Sequence, residues 1–138
     1  HCLVTTHLEA KHVVINGDKT HVANALCNLI DNALKYSNHE PELLIQTSNK
    51  QDELIISVCD NGIGIEQEYQ KKVFEKFFRV PTGDIHDVKG FGLGLTYIKS
   101  IIELHGGTIE LQSDKGKASS GGASAESGTA FIIRLPYV

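Results

Sequence analysis

Apolar residues recur along the chain at two periods, near two and near 3.6, and the switches between them divide it into elements. The stretch from His1 to Gly17 is rich in β-formers, with short apolar runs at Leu3-Val4 and Val13-Val14-Ile15. It predicts two short strands. From Asp18 the period changes. Val22, Ala25, Leu26, Leu29 and Ala33 share one helical face, and Asp18 is placed to cap it, so a helix is expected to about Ser37. Asn38 and Pro41 close it. Two strand-like runs follow, ELLIQTSN and ELIISVCD, joined as a hairpin through Lys50-Gln51-Asp52. Asn61-Gly62-Ile63-Gly64 breaks the second run sharply. From Glu66 to about Phe78 the pattern reads as helical and ends in the aromatic cluster Phe74, Phe77 and Phe78.

Between Arg79 and Lys89 the chain is polar, contains Pro81 and Gly83, and loses its periodicity. A loop of that length is long enough to carry function. Gly90-Phe91-Gly92-Leu93-Gly94 then leads into a second helix ending at Leu104-His105. Gly106 suits its left-handed terminator, and a cationic His105 would suit the helix dipole. The strand TIELQS, the Gly/Ser/Ala-rich stretch 116–128 and a last strand, TAFIIRLPYV, complete the chain. The low-complexity stretch reads as a flexible surface loop between hairpin strands. Strands and helices interleave without a βαβ rhythm. A mixed, mainly antiparallel sheet with helices on one face is therefore expected, an α/β two-layer sandwich.

Composition narrows the function classes. The 138 residues fit a single domain, 1–138, and 41% hydrophobic with 22% charged residues excludes wholesale disorder. Thirteen Lys+Arg against 17 Asp+Glu give a formal charge of −4, which argues against nucleic acid as the main partner. No apolar run approaches the ~20 residues that a membrane span needs. The chain has no Met, so it is expected to be part of a longer protein. Cys2, Cys27 and Cys59 are odd in number and far apart, and each has apolar neighbours in sequence. Reduced, buried thiols in a cytosolic setting are the expectation. The seven histidines have no metal-ligand spacing.

Three segments offer chemistry. Asn28, Asn32, Lys35 and Tyr36 fall within an arc of roughly 100° beside the apolar face of the first helix. An amphipathic helix whose polar edge contains Asn would account for them. Two asparagines on one stripe are nevertheless poor helix formers, and at a core margin they call for a polar partner. The amide oxygen is a hard neutral ligand suited to Mg²⁺. Asp60-Asn61-Gly62-Ile63-Gly64-Ile65 ends a strand. It reads either as a plain turn or as a carboxylate acceptor for an adenine amino group, with glycines that let a ligand approach. Gly90 to Leu95 opens a helix, where free N–H groups and the dipole can hold phosphates. Its GxGxG spacing is neither a Walker A loop nor a Rossmann fingerprint.

In this order the segments resemble the sensor histidine kinases. Asn28-Leu29-Ile30-Asp31-Asn32-Ala33-Leu34-Lys35-Tyr36-Ser37 is similar to their N box, and Asp60 to Ile65 to their first glycine box. Phe74-Glu75-Lys76-Phe77-Phe78-Arg79 is similar to their F box, Gly90 to Leu95 to their second glycine box, and Gly128-Thr129 to their last glycine-containing motif. The resemblance covers nearly all of the chain from Asp18. It implies the ATP-binding (Bergerat) fold shared with gyrase, Hsp90 and MutL. It further implies that Asn32 holds Mg²⁺, that Asn28 and Lys35 contact the phosphates and serve catalysis, and that Tyr36 packs on adenine. Asp60 would bind the adenine amino group, with Gly62, Gly64 and Ile65 shaping the pocket and Thr129 at the nucleotide. The segment from Arg79 to Gly90 would be the ATP lid. Gly90, Gly92, Leu93, Gly94 and Leu95 would stand at its hinge and on the phosphates, and Lys76 and Arg79 would lend positive charge to the γ-phosphate.

The implied activity is transfer of the γ-phosphoryl group of Mg·ATP to a histidine on a separate dimerisation domain of the same protein. A response regulator downstream and a homodimeric parent follow from the resemblance. So does a cytoplasmic domain without direct membrane contact, with the inner membrane as one anchorage open to the parent. Two rival readings stand beside it. One is an ATPase of the same superfamily, whose members resemble one another in having Glu where this chain has Asn28. The other is a nucleotide-binding module without catalysis.

Overall fold

Alternation becomes strands where both neighbours in a sheet can be supplied, and a computed structural model describes this for residues 2–35, 40–62, 64–75, 94–113 and 128–138. In chain order the elements are β1 (Leu3–Leu8), α1 (Lys19–Lys35), β2 (Glu42–Lys50), β3 (Glu53–Asp60), α2 (Gly94–Leu104), β4 (Thr108–Ser113) and β5 (Thr129–Pro136). The strands form one five-stranded sheet in the order β1-β2-β3-β5-β4. Among the described residues only β1 runs parallel to its neighbour, and every other pair is antiparallel. The expected mixed, mainly antiparallel sheet is therefore present. The β2–β3 hairpin closes on Gln51 and Asp52 between paired Lys50 and Glu53, with Gln51 in the left-handed region at φ 55°.

The core lies between one sheet face and the two helices. Thr129, Phe131, Ile133 and Leu135 alternate inward along β5. With Val58 of β3, the last three of these meet Ala25 and Leu29 of α1 and Ile98, Ile101 and Ile102 of α2. The edge strand β1 is exposed along its whole length. No helix among the described residues is long and apolar enough to cross a membrane.

Both helices are terminated by residues the pattern singled out. The Asp18 carboxylate accepts from the His21 backbone N–H at 3.0 Å, and the Asp18 carbonyl accepts from Val22 N–H. That is an N-cap at the expected residue. Gly106 takes φ 79°, its N–H donates to the Glu103 carbonyl, and Gly107 N–H donates to the Ile102 carbonyl. This double closure is the Schellman termination.

Four expectations change. Only one strand forms before α1, because residues 13–15 meet the sheet through a single Ile15–Tyr137 bridge past the end of β5. The expected helix from Glu66 is instead two 3₁₀ turns, Gln67–Tyr69 and Lys72–Phe74. Neither has a side-chain cap, and Glu75 leaves the second in an extended conformation, so no second turn can propagate. Cys2 and Cys27 are exposed and Cys59 half-buried, all three as free thiols. Short apolar runs around a cysteine thus did not decide burial, since Cys27 lies off the core stripe of α1 and Cys2 precedes an edge strand.

His105 is the fourth. Its Nε2 accepts the Asp18 backbone N–H at 2.9 Å, so the ring is neutral with its hydrogen on Nδ1, which lies 2.7 Å from the Ile101 carbonyl. The ring joins the end of α2 to the start of α1 by hydrogen bonds, not by charge.

Candidate functional site

Register brings together residues that are far apart in sequence. Asp60, the last residue of β3, stands opposite Thr129, the first of β5, and Thr129 stands opposite Ser113, the last of β4. Directly paired residues point to one face, here the face that continues inward as Val58, Phe131 and Leu111. A polar row therefore crosses one end of an apolar sheet face. Ser113 and Thr129 are buried, and Asp60 is half-buried.

Asp60 is held for accepting. Its Oδ1 takes the Gly62 backbone N–H at 2.8 Å. Burial pushes its carboxyl up from the ordinary value, while the backbone N–H groups of Gly62 and Thr129 pull it back. Two oxygens offer about four acceptor sites, so capacity remains for an outside donor. Gly62 and Gly64 are buried, and Gly64 turns the chain at φ 75°. Gly128 brings the approach to β5 so close that a Cβ there would collide with the Asp60 carbonyl oxygen.

Helix α1 lies across the helix-facing side of the sheet and carries Asn28 and Asn32, both half-buried, and Lys35 as its last residue. Among the described residues no hydrogen bond occupies either amide. Asn32 is next to the start of α2, where a Cβ built on Gly94 would lie 3.5 Å from its Nδ2. Leu95 is half-buried against the core. Within its first two turns, α2 is tied to the aromatic segment. Thr96 Oγ1 donates to the Phe74 carbonyl at 3.0 Å, the Lys99 ammonium lies 5.6 Å from the centre of the Phe74 ring, and Phe74 packs edge-on against Phe131. Both chain segments that flank 76–93 are thereby anchored to each other and to β5.

Of the residues expected at the site, Asn28, Asn32, Asp60, Gly62, Gly64, Ile65, Gly94, Leu95 and Thr129 fall on α1, the β3 turn, the start of α2 and the start of β5. Tyr36, Lys76, Arg79, Gly90, Gly92 and Leu93 lie outside the described residues, as does the expected lid. Two residues take roles that the sequence reading did not assign. Ser113 looked like an ordinary strand end before a low-complexity stretch, and only its pairing with Thr129 gives it meaning. Asn61, read as part of the glycine box, turns away: its Oδ1 accepts from Glu42 N–H at 2.9 Å and its Nδ2 donates to the Glu40 carbonyl, pinning the start of β2.

Residues 17–138 match the family model described as "Histidine kinase-, DNA gyrase B-, and HSP90-like ATPase". The sensor protein RprX of Bacteroides fragilis is 49% identical over 137 residues, 98% of this chain and 24% of that protein. The sensor protein SrrB of Staphylococcus aureus is 38% identical over 119 residues, 86% of this chain and 19% of that protein. The chain thus spans a quarter or less of the length of these relatives. Among solved structures, a mycobacterial sensor histidine kinase, MprB, is similar with a TM-score of 0.82 at 25% identity, covering 99% of this chain and 84% of that one.

Proposed function

The chain belongs to the histidine kinase-, DNA gyrase B-, and HSP90-like ATPase family, and on that premise we propose that it is the catalytic, ATP-binding domain of a sensor histidine kinase. It transfers the γ-phosphoryl group of ATP to a histidine on a separate dimerisation domain of the same homodimeric protein, which then serves a response regulator. The domain works in the cytoplasm, a setting with which its free cysteines agree. The observation that carries the reading is the half-buried Asp60 carboxylate at the end of an apolar sheet face, with spare acceptor sites, in register with the buried Thr129.

Each residue has a task that its chemistry suits. Asp60 accepts the adenine amino group, where guanine would present an oxygen and be repelled. Tyr36 lies on the ring, and Thr129 and Ile65 bound the pocket. Asn28 and Lys35 hold the phosphates, with backbone N–H groups from Gly90 to Leu95 completing the cradle. Asn32 offers a neutral hard oxygen of the kind Mg²⁺ takes alongside phosphate oxygens and water. Mg²⁺, when bound, supplies positive charge across the phosphate oxygens. Catalysis on this chain is positioning and charge stabilisation, as for phosphoryl transfer generally. An amide cannot take a proton, so Asn28 leaves water without a base.

Calorimetry with Mg·ADP tests the site. Asp60→Ala should weaken binding by about one to two orders of magnitude, as loss of a buried ligand hydrogen bond implies. Unchanged affinity would remove Asp60 from the adenine subsite. A second measurement tests the activity. This chain should turn over ATP far below the ~10 s⁻¹ of a typical enzyme and should not label itself. Addition of the parent's histidine-bearing domain should give an acid-labile, base-stable phosphoryl group. Rapid turnover by the chain alone would favour the ATPase reading.

A further inference from the structure

Beneath the Asp60 turn lies a set of hydrogen bonds that the proposed phosphoryl transfer does not use. The Ser113 hydroxyl accepts from Ile65 N–H at 2.7 Å and donates to the Gly128 carbonyl at 2.8 Å. Gln70 Nε2 donates to the Ile65 carbonyl at 2.9 Å and to the Ser113 carbonyl at 3.3 Å. Ile65 is therefore gripped at both of its backbone groups, by side chains from β4 and from the end of the first 3₁₀ turn. The same hydroxyl grips Gly128, which itself abuts the Asp60 backbone.

We propose that Ser113, assisted by Gln70, is a positioning residue of the adenine subsite: it fixes the Gly62–Ile65 turn against the Gly128–Thr129 corner and so keeps the Asp60 carboxylate and Thr129 aimed into one pocket. This rests on the reading of Asp60 as the adenine acceptor. Three properties carry it. Ser113 is buried, at 5% exposure, at the end of a strand where a small apolar residue would meet the packing need. It satisfies two backbone groups from two segments that converge only at the site. Those segments flank the acceptor on either side, at Gly62, whose N–H sets the carboxylate's rotamer, and at Thr129, whose N–H also meets it. A turn freed from this clasp samples states that cannot bind, and apparent affinity falls with the competent fraction.

The test uses the purified chain and two readouts, amide exchange at Ile65 without nucleotide and Mg·ADP affinity by calorimetry. Ser113→Ala should speed exchange at Ile65 by about tenfold relative to the amides of Ile56 and Ile133, and weaken Mg·ADP about five- to tenfold, the scale of one lost hydrogen bond. Ser113→Thr, which keeps the hydroxyl, should restore both. If Ser113→Ala does not fold, Gln70→Met carries the same two readouts, because it releases only carbonyl groups. Wild-type affinity in a folded variant, or unchanged Ile65 exchange, overturns the proposal. Failure of the unaltered chain to bind Mg·ADP would instead refute the adenine reading, and Ile65 exchange would still decide whether the clasp holds the turn.

Discussion

Asp60 keeps a carboxylate where its surroundings disfavour one. Burial raises its pKa in the folded chain above the ordinary value of 3.8, so the folded state holds the proton more firmly than the unfolded one. The sign follows from linkage. Its contribution to stability is complete below 3.8 and is lost as the pH rises through the folded-state value. Asp60→Asn should therefore raise the melting temperature of the nucleotide-free chain at pH 7, with the gain shrinking as the pH is lowered toward 4. Melts across that range check it. On the proposed reading such a residue serves the nucleotide at a cost in stability. His105 is the opposite kind, wholly structural. Its ring abuts Gly17 so closely that a Cβ there would collide with it, while Nε2 takes the Asp18 N–H. His105→Ala should cost about 1–2 kcal/mol. Gly17→Ala should act through the same ring, so the double variant should be less destabilised than the two single effects added together in urea titrations.

At the scale of elements, caps and register divide what the pattern could reveal from what it could not. Asp18 is legible because an N-cap is local chemistry. Asp18→Ala should lower the melting temperature at pH 7 more than Asp18→Asn, since Asn keeps the capping oxygen and loses only the charge. Its carboxyl is held below 3.8 chiefly by the His21 backbone N–H, so this support is present above 3.8 and fades as the pH falls through the lower folded value. The β2–β3 hairpin, α1 and the close of α2 were legible for the same reason. Each is decided by a period and a terminating residue within a few positions. Residues 66–75 were not, because apolar spacing there buries Val73 and packs Phe74 against the core rather than forming a continuous helical face. Within the site, Asp60 and its glycines announced themselves through a turn signal next to a strand. Ser113 did not, since its role exists only through pairing with Thr129, and single-chain patterns hold no register between distant strands.

For the molecule as a whole, the sheet order matters more than any one contact. Strand β5, fifth in the chain, lies between β3 and β4, and β4 has no other strand partner among the described residues. During synthesis β4 leaves the ribosome with nothing to pair with. It can join only after the last strand has threaded in beside β3, a long-range closure that comes late for entropic reasons. Asp60 meets Thr129 and Ser113 at that same moment. Nascent chains stalled with Thr129 still inside the exit tunnel should therefore not retain an adenine-nucleotide resin, and chains released past Pro136 should. On the proposed reading the nucleotide pocket is the last part of the domain to come into being, so a half-made domain would have no means of holding its nucleotide.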